Sequence, residues 1–322
     1  MTLLRLATTT ALICAASTTA VAQNYPAKPV RMIVPFPAGG ATDIIGRIAA
    51  QKLAESLGQP FVVDNRGGAG GTIGTEIAAK AVPDGYVLIT GTSSTHSIAP
   101  GLYPKLPYDP VKDFAPISLL CTATILLATH PSVPAKNVKE LIALAKARPD
   151  QLSFASTGNG SISHLVGEQF KSMTGVQLVH VPYKGDAPAL IDLAAGQVSI
   201  MFGTAVAFIP YVKSGKLKAL AVTNPARSPI VPDVPTVSES GLKGFEAVQW
   251  FGLFAPAGTP KDIVARLHAE TVKFLRQPDV RDRMAGLGTD IVGSTPEAFA
   301  AFQRAEIAKW AKIIQASGAR IE

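Results

Sequence analysis

One segment constrains what this chain can fold into more than any other. Val30-Arg31-Met32-Ile33-Val34 runs into Pro35-Phe36-Pro37-Ala38-Gly39-Gly40-Ala41-Thr42-Asp43. The short β-branched run reads as a buried strand, and the glycine pair as a turn. Ile44, Ile45, Ile48, Ala49, Leu53 and Leu57 then recur at helical spacing, up to a stop at Gly58. A strand, a glycine turn and an amphipathic helix make the repeating unit of an α/β fold. The same turn aims the free backbone N–H groups of a helix start at one point, which suits an anion. The segment carries no nucleophile, metal cluster or cofactor lysine, so it points to capture of a small anion rather than chemistry on it.

The pattern continues along the chain. Strand signals at Phe61–Val63, Tyr86–Thr90, Gln151–Ala155, Leu178–Val181, Val198–Phe202 and Leu217–Thr223 alternate with helical ones. Helices are expected over Thr72–Ala81, Val138–Ala147, Ile162–Phe170 and Pro188–Ala195, with a last one carrying Phe302, Ile307, Trp310, Ile313 and Ile314. Thr259-Pro260-x-Asp262 and Ser294-x-x-Glu297 read as helix starts. Two long apolar runs, Ile117–His130 and Val248–Ala255, divide the chain into three parts. The simplest architecture makes them crossing strands between two α/β lobes. Lobe 1 is expected over residues 23–122 and 248–322, and lobe 2 over 123–247. A single large sheet is the alternative, and no internal sequence repeat is evident.

The ends bound the compartment. Arg5, the apolar Leu6–Val21 and the A-x-A site Ala20-Val21-Ala22 mark residues 1–22 as a secretory signal peptide rather than a membrane span. Cys14 lacks the small preceding residue of a lipoprotein signal, since Ile13 stands there. A mature chain of 300 residues is long enough for two cores. Its formal charge falls from +7 to +6 with the loss of Arg5, and no basic run or aromatic–basic interleaving accompanies it. Nucleic acid is therefore not an expected partner. Cys121 alone remains after cleavage, so no internal disulfide forms, and its apolar setting makes it an inert core residue.

Catalytic arrangements find little support. His96, His130, His164, His180 and His268 are scattered, without H-E-x-x-H or paired cysteines for a metal. There is no G-x-S-x-G elbow, and Ser161 close to His164 in sequence does not make a nucleophile–base pair. Gly67-Gly68-Ala69-Gly70-Gly71-Thr72-Ile73-Gly74 fails the dinucleotide pattern because Ile73 stands where the third glycine belongs, so no cofactor is expected. Two anion turns remain. The first is Phe36–Asp43, where Thr42 can cap the helix and Asp43 suits its positive end. The second is Ser156-Thr157-Gly158-Asn159-Gly160-Ser161, before the Ile162 helix. With one turn on each lobe, a ligand with two acidic ends bridges them. Ser93 and Ser94 after a strand, His164, and Lys184 in Tyr183-Lys184-Gly185-Asp186 are further candidates.

The chain resembles the tripartite tricarboxylate transporter receptor family, the Bug proteins. The resemblance rests on Tyr25-Pro26-x-Lys28-Pro29-Val30-Arg31, Pro35–Asp43, Leu57-Gly58-Gln59-Pro60, Asn65–Gly74, Pro83-Asp84-Gly85-Tyr86, Tyr108-Asp109-Pro110, Asp113-Phe114 and Tyr183-Lys184-Gly185. Pro235-Thr236-Val237-x-Glu239-Ser240-Gly241, Trp250 and Ala255-Pro256-Ala257-Gly258-Thr259-Pro260 complete it. It implies a type II periplasmic-binding-protein fold, with two lobes closing on a small carboxylate, and delivery to a tripartite membrane carrier or a sensor. The loop matching Phe36, Ala38, Gly39, Gly40, Ala41 and Thr42 is expected to hold one carboxylate. The loop matching Ser156, Thr157, Gly158 and Ser161 contributes from the other lobe. A monomer without cofactors is expected. An exported enzyme using the same turns is the competing class, and it needs a nucleophile and base in reach of each other. The chain departs from the family at Gly196-Gln197-Val198-Ser199-Ile200-Met201-Phe202-Gly203, where both acids of G-Q-V-D-x-x-F-D are lost. Gly203 thus implies a ligand without an ammonium group.

Overall fold

The computed structural model describes residues 25–320. The expected signal peptide lies outside the described residues. The chain opens with β1 (Val30–Val34), α1 (Ala41–Leu57), β2 (Phe61–Asn65), α2 (Thr72–Ala79) and β3 (Val87–Thr92), and a π-helical turn over Ser94–Ile98 leads into the short α3 (Ala99–Leu102). β4 (Phe114–Ala123), β5 (Ile125–Thr129), α4 (Val138–Ala147), β6 (Ser153–Ser156), α5 (Ile162–Thr174) and β7 (Val179–Pro182) follow. Then come α6 (Asp186–Ala194), β8 (Ile200–Thr204), α7 (Ala205–Lys213) and β9 (Lys218–Val222). After a long connection the chain ends in β10 (Gln249–Pro256), α8 (Lys261–Leu275), α9 (Pro278–Gly286), β11 (Thr289–Ile291) and α10 (Pro296–Ser317).

These strands form two sheets, not one. One has the order β2-β1-β3-β10-β4-β11 and the other β7-β6-β8-β5-β9. In each, the first three strands are parallel and the fourth runs against the third. The two halves thus repeat one topology although the sequence shows no repeat. The central strands of both, β5 and β8 in the smaller and β10 in the larger, are buried along their whole length.

The run Ile117–His130 divides at Thr124, with β4 in the larger sheet and β5 in the smaller. Thr124 is held from both sides. Its N–H donates to Gly288 O at 3.1 Å, its carbonyl accepts from Ala205 N at 2.8 Å, and its hydroxyl donates to Ser228 Oγ at 3.0 Å. The second passage lies just before β10. Ala247 exchanges two hydrogen bonds with Thr223 beyond β9, while Trp250 N donates to Ser93 Oγ at 3.0 Å beyond β3. Trp310 and Ile314 of α10 pack into the core around Phe154, Leu165 and Phe170, so the C-terminal helix leans on the smaller sheet's half.

Local chemistry accounts for most helix ends. Gly58, Gly175 and Gly318 stop α1, α5 and α10 in the left-handed conformation. Two expected caps shift. Thr295, not Ser294, caps α10, because the Ser294 hydroxyl accepts from Leu119 N of β4. The Thr259 hydroxyl turns back to Pro256 O, leaving Pro260 ahead of α8. Cys121 is fully buried in β4, and burial pushes its thiol pKa up, which leaves it unreactive.

Candidate functional site

The two anion turns occupy equivalent places. Each leaves the carboxyl end of the second strand in its sheet's order, β1 or β6, and each opens a helix, α1 or α5. Ligands of open α/β sheets bind at such ends.

On the larger sheet, Gly39 takes φ +85°, a conformation that glycine adopts without strain. Its N–H donates to Asp43 Oδ2 at 2.9 Å. Asp43 also accepts from Arg47 Nε and Asn65 Nδ2, each at 2.9 Å, and the Asn65 amide reaches Phe36 O as well. Burial acts to raise the Asp43 carboxyl, but the bonds from Arg47, Gly39 and Asn65 outweigh it and hold the pKa below the ordinary value. Asp43 therefore fastens the turn from behind, while Ala38 is exposed at its tip. Gly40 is the N-cap and has no side chain to offer, so Thr42 is a residue of the first turn and not the cap. Its side chain lines the cavity instead. Among the described residues, no protein acceptor meets the N–H groups of Thr42 and Asp43.

On the smaller sheet, most polar groups of the turn serve the turn. Ser156 Oγ lies 2.7 Å from His180 Nε2 and accepts from Gly158 N. Ser161 Oγ donates to Gly158 O at 2.6 Å and caps α5 through His164 N at 3.4 Å. The His164 ring stacks on His180 with centroids 4.2 Å apart, and its Nδ1 accepts from Gly160 N. Burial, with the neighbouring cation Lys171, pushes His180 down to about 3, and burial lowers His164 as well, so both rings are neutral. Ser161 and His164 make no side-chain pair. The Ser156–His180 contact has no carboxylate behind the ring, and its hydroxyl does not line the cavity.

The cavity lies between the two turns. Phe36, Ala41, Thr42, Ser94, Thr157 and Gly203 line it among the expected residues. About 30 Å³ is open there to the centres of water-sized molecules. Gly158 and Lys184 line a neighbouring cavity of about 210 Å³, which shares Phe36 and Thr157 with the first. Ala38, Gly39, Gly40, Asp43, Ser93, Ser156, Ser161 and His164 line neither. They shape the two turns and the floor behind them.

Eight lining residues escaped the sequence reading, and three of them bear most on the chemistry of the cavity. Thr204, 6 % exposed at the end of β8, and Gln249, 4 % exposed at the start of β10, face the cavity. Thr204 Oγ1 and Gln249 Oε1 are buried and have no partner among the described residues. Neither sits in a motif; only assembly of the sheets brings strand ends together. The third is Asp186, the first residue of α6. Its Oδ2 accepts from Ala41 N, the first N–H of α1, at 3.0 Å across the cleft. A Cβ on Gly40 would lie 2.9 Å from the same oxygen, so the glycine makes this approach possible. Burial raises the Asp186 pKa, opposed by the Ala41 hydrogen bond. A reciprocal bond runs the other way: Ile162 N, the first N–H of α5, donates to Ser94 Oγ at 3.0 Å. Gly203 is a packing glycine, since a Cβ there would collide with the Phe208 ring. Its lack of an acid does not leave the cavity without one, because Asp186 supplies a carboxylate from another element. Gly203 by itself therefore does not exclude an ammonium group from the ligand.

Comparison with known proteins agrees with this geometry. The family model described as tripartite tricarboxylate transporter family receptor matches residues 45–319. The chain is 39 % identical over 302 residues to protein BugT of Bordetella pertussis, covering 94 % of this chain and 93 % of that one. Among solved structures it is similar to R. palustris Rpa4515 with adipate, at 38 % identity and a TM-score of 0.90, covering 92 % of this chain and all of that one. It is also similar to MatC from Rhodopseudomonas palustris with bound malate, at 39 % identity and a TM-score of 0.87, covering 90 % of this chain and all of that one. With the two-lobed fold, the paired helix starts and these similarities in agreement, the chain belongs to the tripartite tricarboxylate transporter receptor family.

Proposed function

We propose that this protein is a periplasmic receptor that captures a small carboxylate between its lobes and presents it to the membrane subunits of a tripartite transporter. The observation that carries this reading is the cavity closed by the N-termini of α1 and α5, one from each half. Helix N-termini bind anions through N–H groups and the positive end of the dipole. Among the described residues no Lys or Arg lines that cavity, so recognition of a carboxylate falls to backbone N–H groups and hydroxyls. Two of the similar proteins have been solved with adipate and with malate, both small dicarboxylates.

The lobes are taken as residues 23–122 with 248–322, and 123–247, hinged at Thr124 and at Ala247–Gln249. The first 22 residues direct export. Closure is a hinge motion stabilised by contacts made in both halves at once.

A thermal-shift screen of small carboxylates tests the reading. A ligand at 100 times its Kd should stabilise the native state by about 2.7 kcal/mol. Gly40→Asp should then abolish most of that shift, because it adds a carboxylate at the start of α1. No stabilisation by any carboxylate, or an unchanged shift in the variant, would count against the site.

A further inference from the structure

We infer that the hinge side of the cavity selects the far end of the ligand: Thr204 and Gln249 take a neutral group that both donates and accepts a hydrogen bond, a carboxamide or a hydroxyl, and turn away a second carboxylate. This rests on the carboxylate reading above and narrows it to monoanions.

Both residues stand beside the crossing at Thr124, since Thr204 pairs with Ile125 and Gln249 with Ala123. Both line the cavity and are buried. The Gln249 amide has a fixed orientation. Its Nε2 donates to Trp250 O at 3.2 Å, and turning the amide over would set Oε1 against that carbonyl. Its Oε1 is therefore an acceptor, buried and without a partner among the described residues. Thr204 is the N-cap of α7, a place where a threonine hydroxyl ordinarily caps the helix, yet its side chain makes no cap bond. Its Oγ1 is also buried without a partner among the described residues, free to donate or to accept.

The surroundings of these two atoms are hostile to charge. Ile125, Phe202 and Phe251 line the same cavity. Among the described residues, Asp186 is the one charged side chain that lines it, and it is an acid. A second carboxylate on the hinge side would lose its water and meet Gln249 Oε1 as acceptor against acceptor. Of the two side chains, only the Thr204 hydroxyl could donate to it. A carboxamide fits instead: its N–H donates to Gln249 Oε1, and its carbonyl accepts from Thr204 Oγ1. A hydroxyl fills the same two roles. A methyl ketone keeps the bond from Thr204 but leaves the Gln249 oxygen unsatisfied.

Succinate, succinamate and levulinate share one carboxylate and nearly one shape. They differ in the far group, which is a carboxylate, a carboxamide or a methyl ketone. Isothermal titration of the mature wild-type protein is expected to show succinamate binding at least about tenfold more tightly than either of the others. Gln249→Met removes the acceptor and should bring succinamate to within about threefold of levulinate. Thr204→Val removes a hydroxyl that no described protein group uses, so near-UV circular dichroism should show the fold unchanged. Succinamate and levulinate should then weaken together, by about fivefold. Should Gln249→Met fail to fold, the wild-type ranking and Thr204→Val still decide. Succinate or levulinate binding the wild type as tightly as succinamate overturns the proposal and leaves the carboxylate reading intact. So does a folded variant that binds the three as the wild type does. Binding of none of the three overturns the proposal, and the thermal-shift screen then decides the carboxylate reading on its own.

Discussion

His96 shows how a polar residue can serve the fold beside a binding site. It lies in the π-helical turn after β3, is 0 % exposed, and stacks on Phe254 with centroids 4.2 Å apart. Its Nδ1 lies 2.8 Å from Thr95 Oγ1, and its Nε2 has no partner. Burial alone lowers its pKa from 6.5 to about 3. The folded-state value is below the unfolded one, so the unfolded chain takes up the proton first as pH falls. Stability present above the unfolded pKa is therefore lost as pH drops toward the folded one. Between pH 7 and pH 5 this histidine should cost about 2 kcal/mol. Urea melts at the two pH values should show that increment in the wild type and lose it in His96→Gln; an identical pH dependence would refute the assignment. Gly40 is a second residue whose role is spatial. Its backbone, at φ −87° and ψ 174°, admits any residue, so Gly40→Ala acts only through the Asp186 carboxylate that its Cβ would crowd. Loss of the Ala41–Asp186 hydrogen bond should lower the unfolding free energy by about 1–2 kcal/mol, read from denaturant midpoints.

At the scale of elements, periodicity made the strands and helices legible, and glycines marked their ends. Both turns after β1 and β6 were legible too, because a helix start is a local event. Partners drawn from the other half were not. Ser94 meets Ile162 and Asp186 meets Ala41 across long stretches of chain, and nothing local encodes either contact. Thr204 and Gln249 are polar residues at strand ends, indistinguishable in sequence from ordinary boundary residues. Ser294 misled because a better-placed neighbour, Thr295, took the cap once β4 claimed the serine. The contact between α5 and the turn after β3 can be tested directly. Ser94→Ala leaves Ile162 N–H buried without its acceptor and should cost about 1–3 kcal/mol. Hydrogen exchange should report the loss first at the start of α5. Unchanged protection there would mean that the N–H has found another acceptor.

At the scale of the molecule, two sheets of one topology bring their anion turns to one cavity, and α10 ties the C-terminal end of the chain to the smaller sheet's core. Trp310 is fully buried in that core, next to Leu165 and Phe170 of α5. Trp310→Ala should destabilise by about 3–5 kcal/mol and loosen α5 together with α10. Exchange protection lost in α10 alone would argue against this coupling. The two reciprocal bonds across the cleft have a consequence for delivery. They join protein to protein, so in the closed form they favour closure without help from a ligand. On the transport role proposed above, a membrane carrier that pulls the lobes apart would meet this resistance on an unloaded receptor as well as on a loaded one. The difference by which the carrier can tell the two apart is therefore only the ligand's own contribution to holding the halves together. A receptor that grips itself this way gains a ready-made shape for its ligand, and leaves its partner a narrower margin for rejecting one that arrives with nothing to deliver.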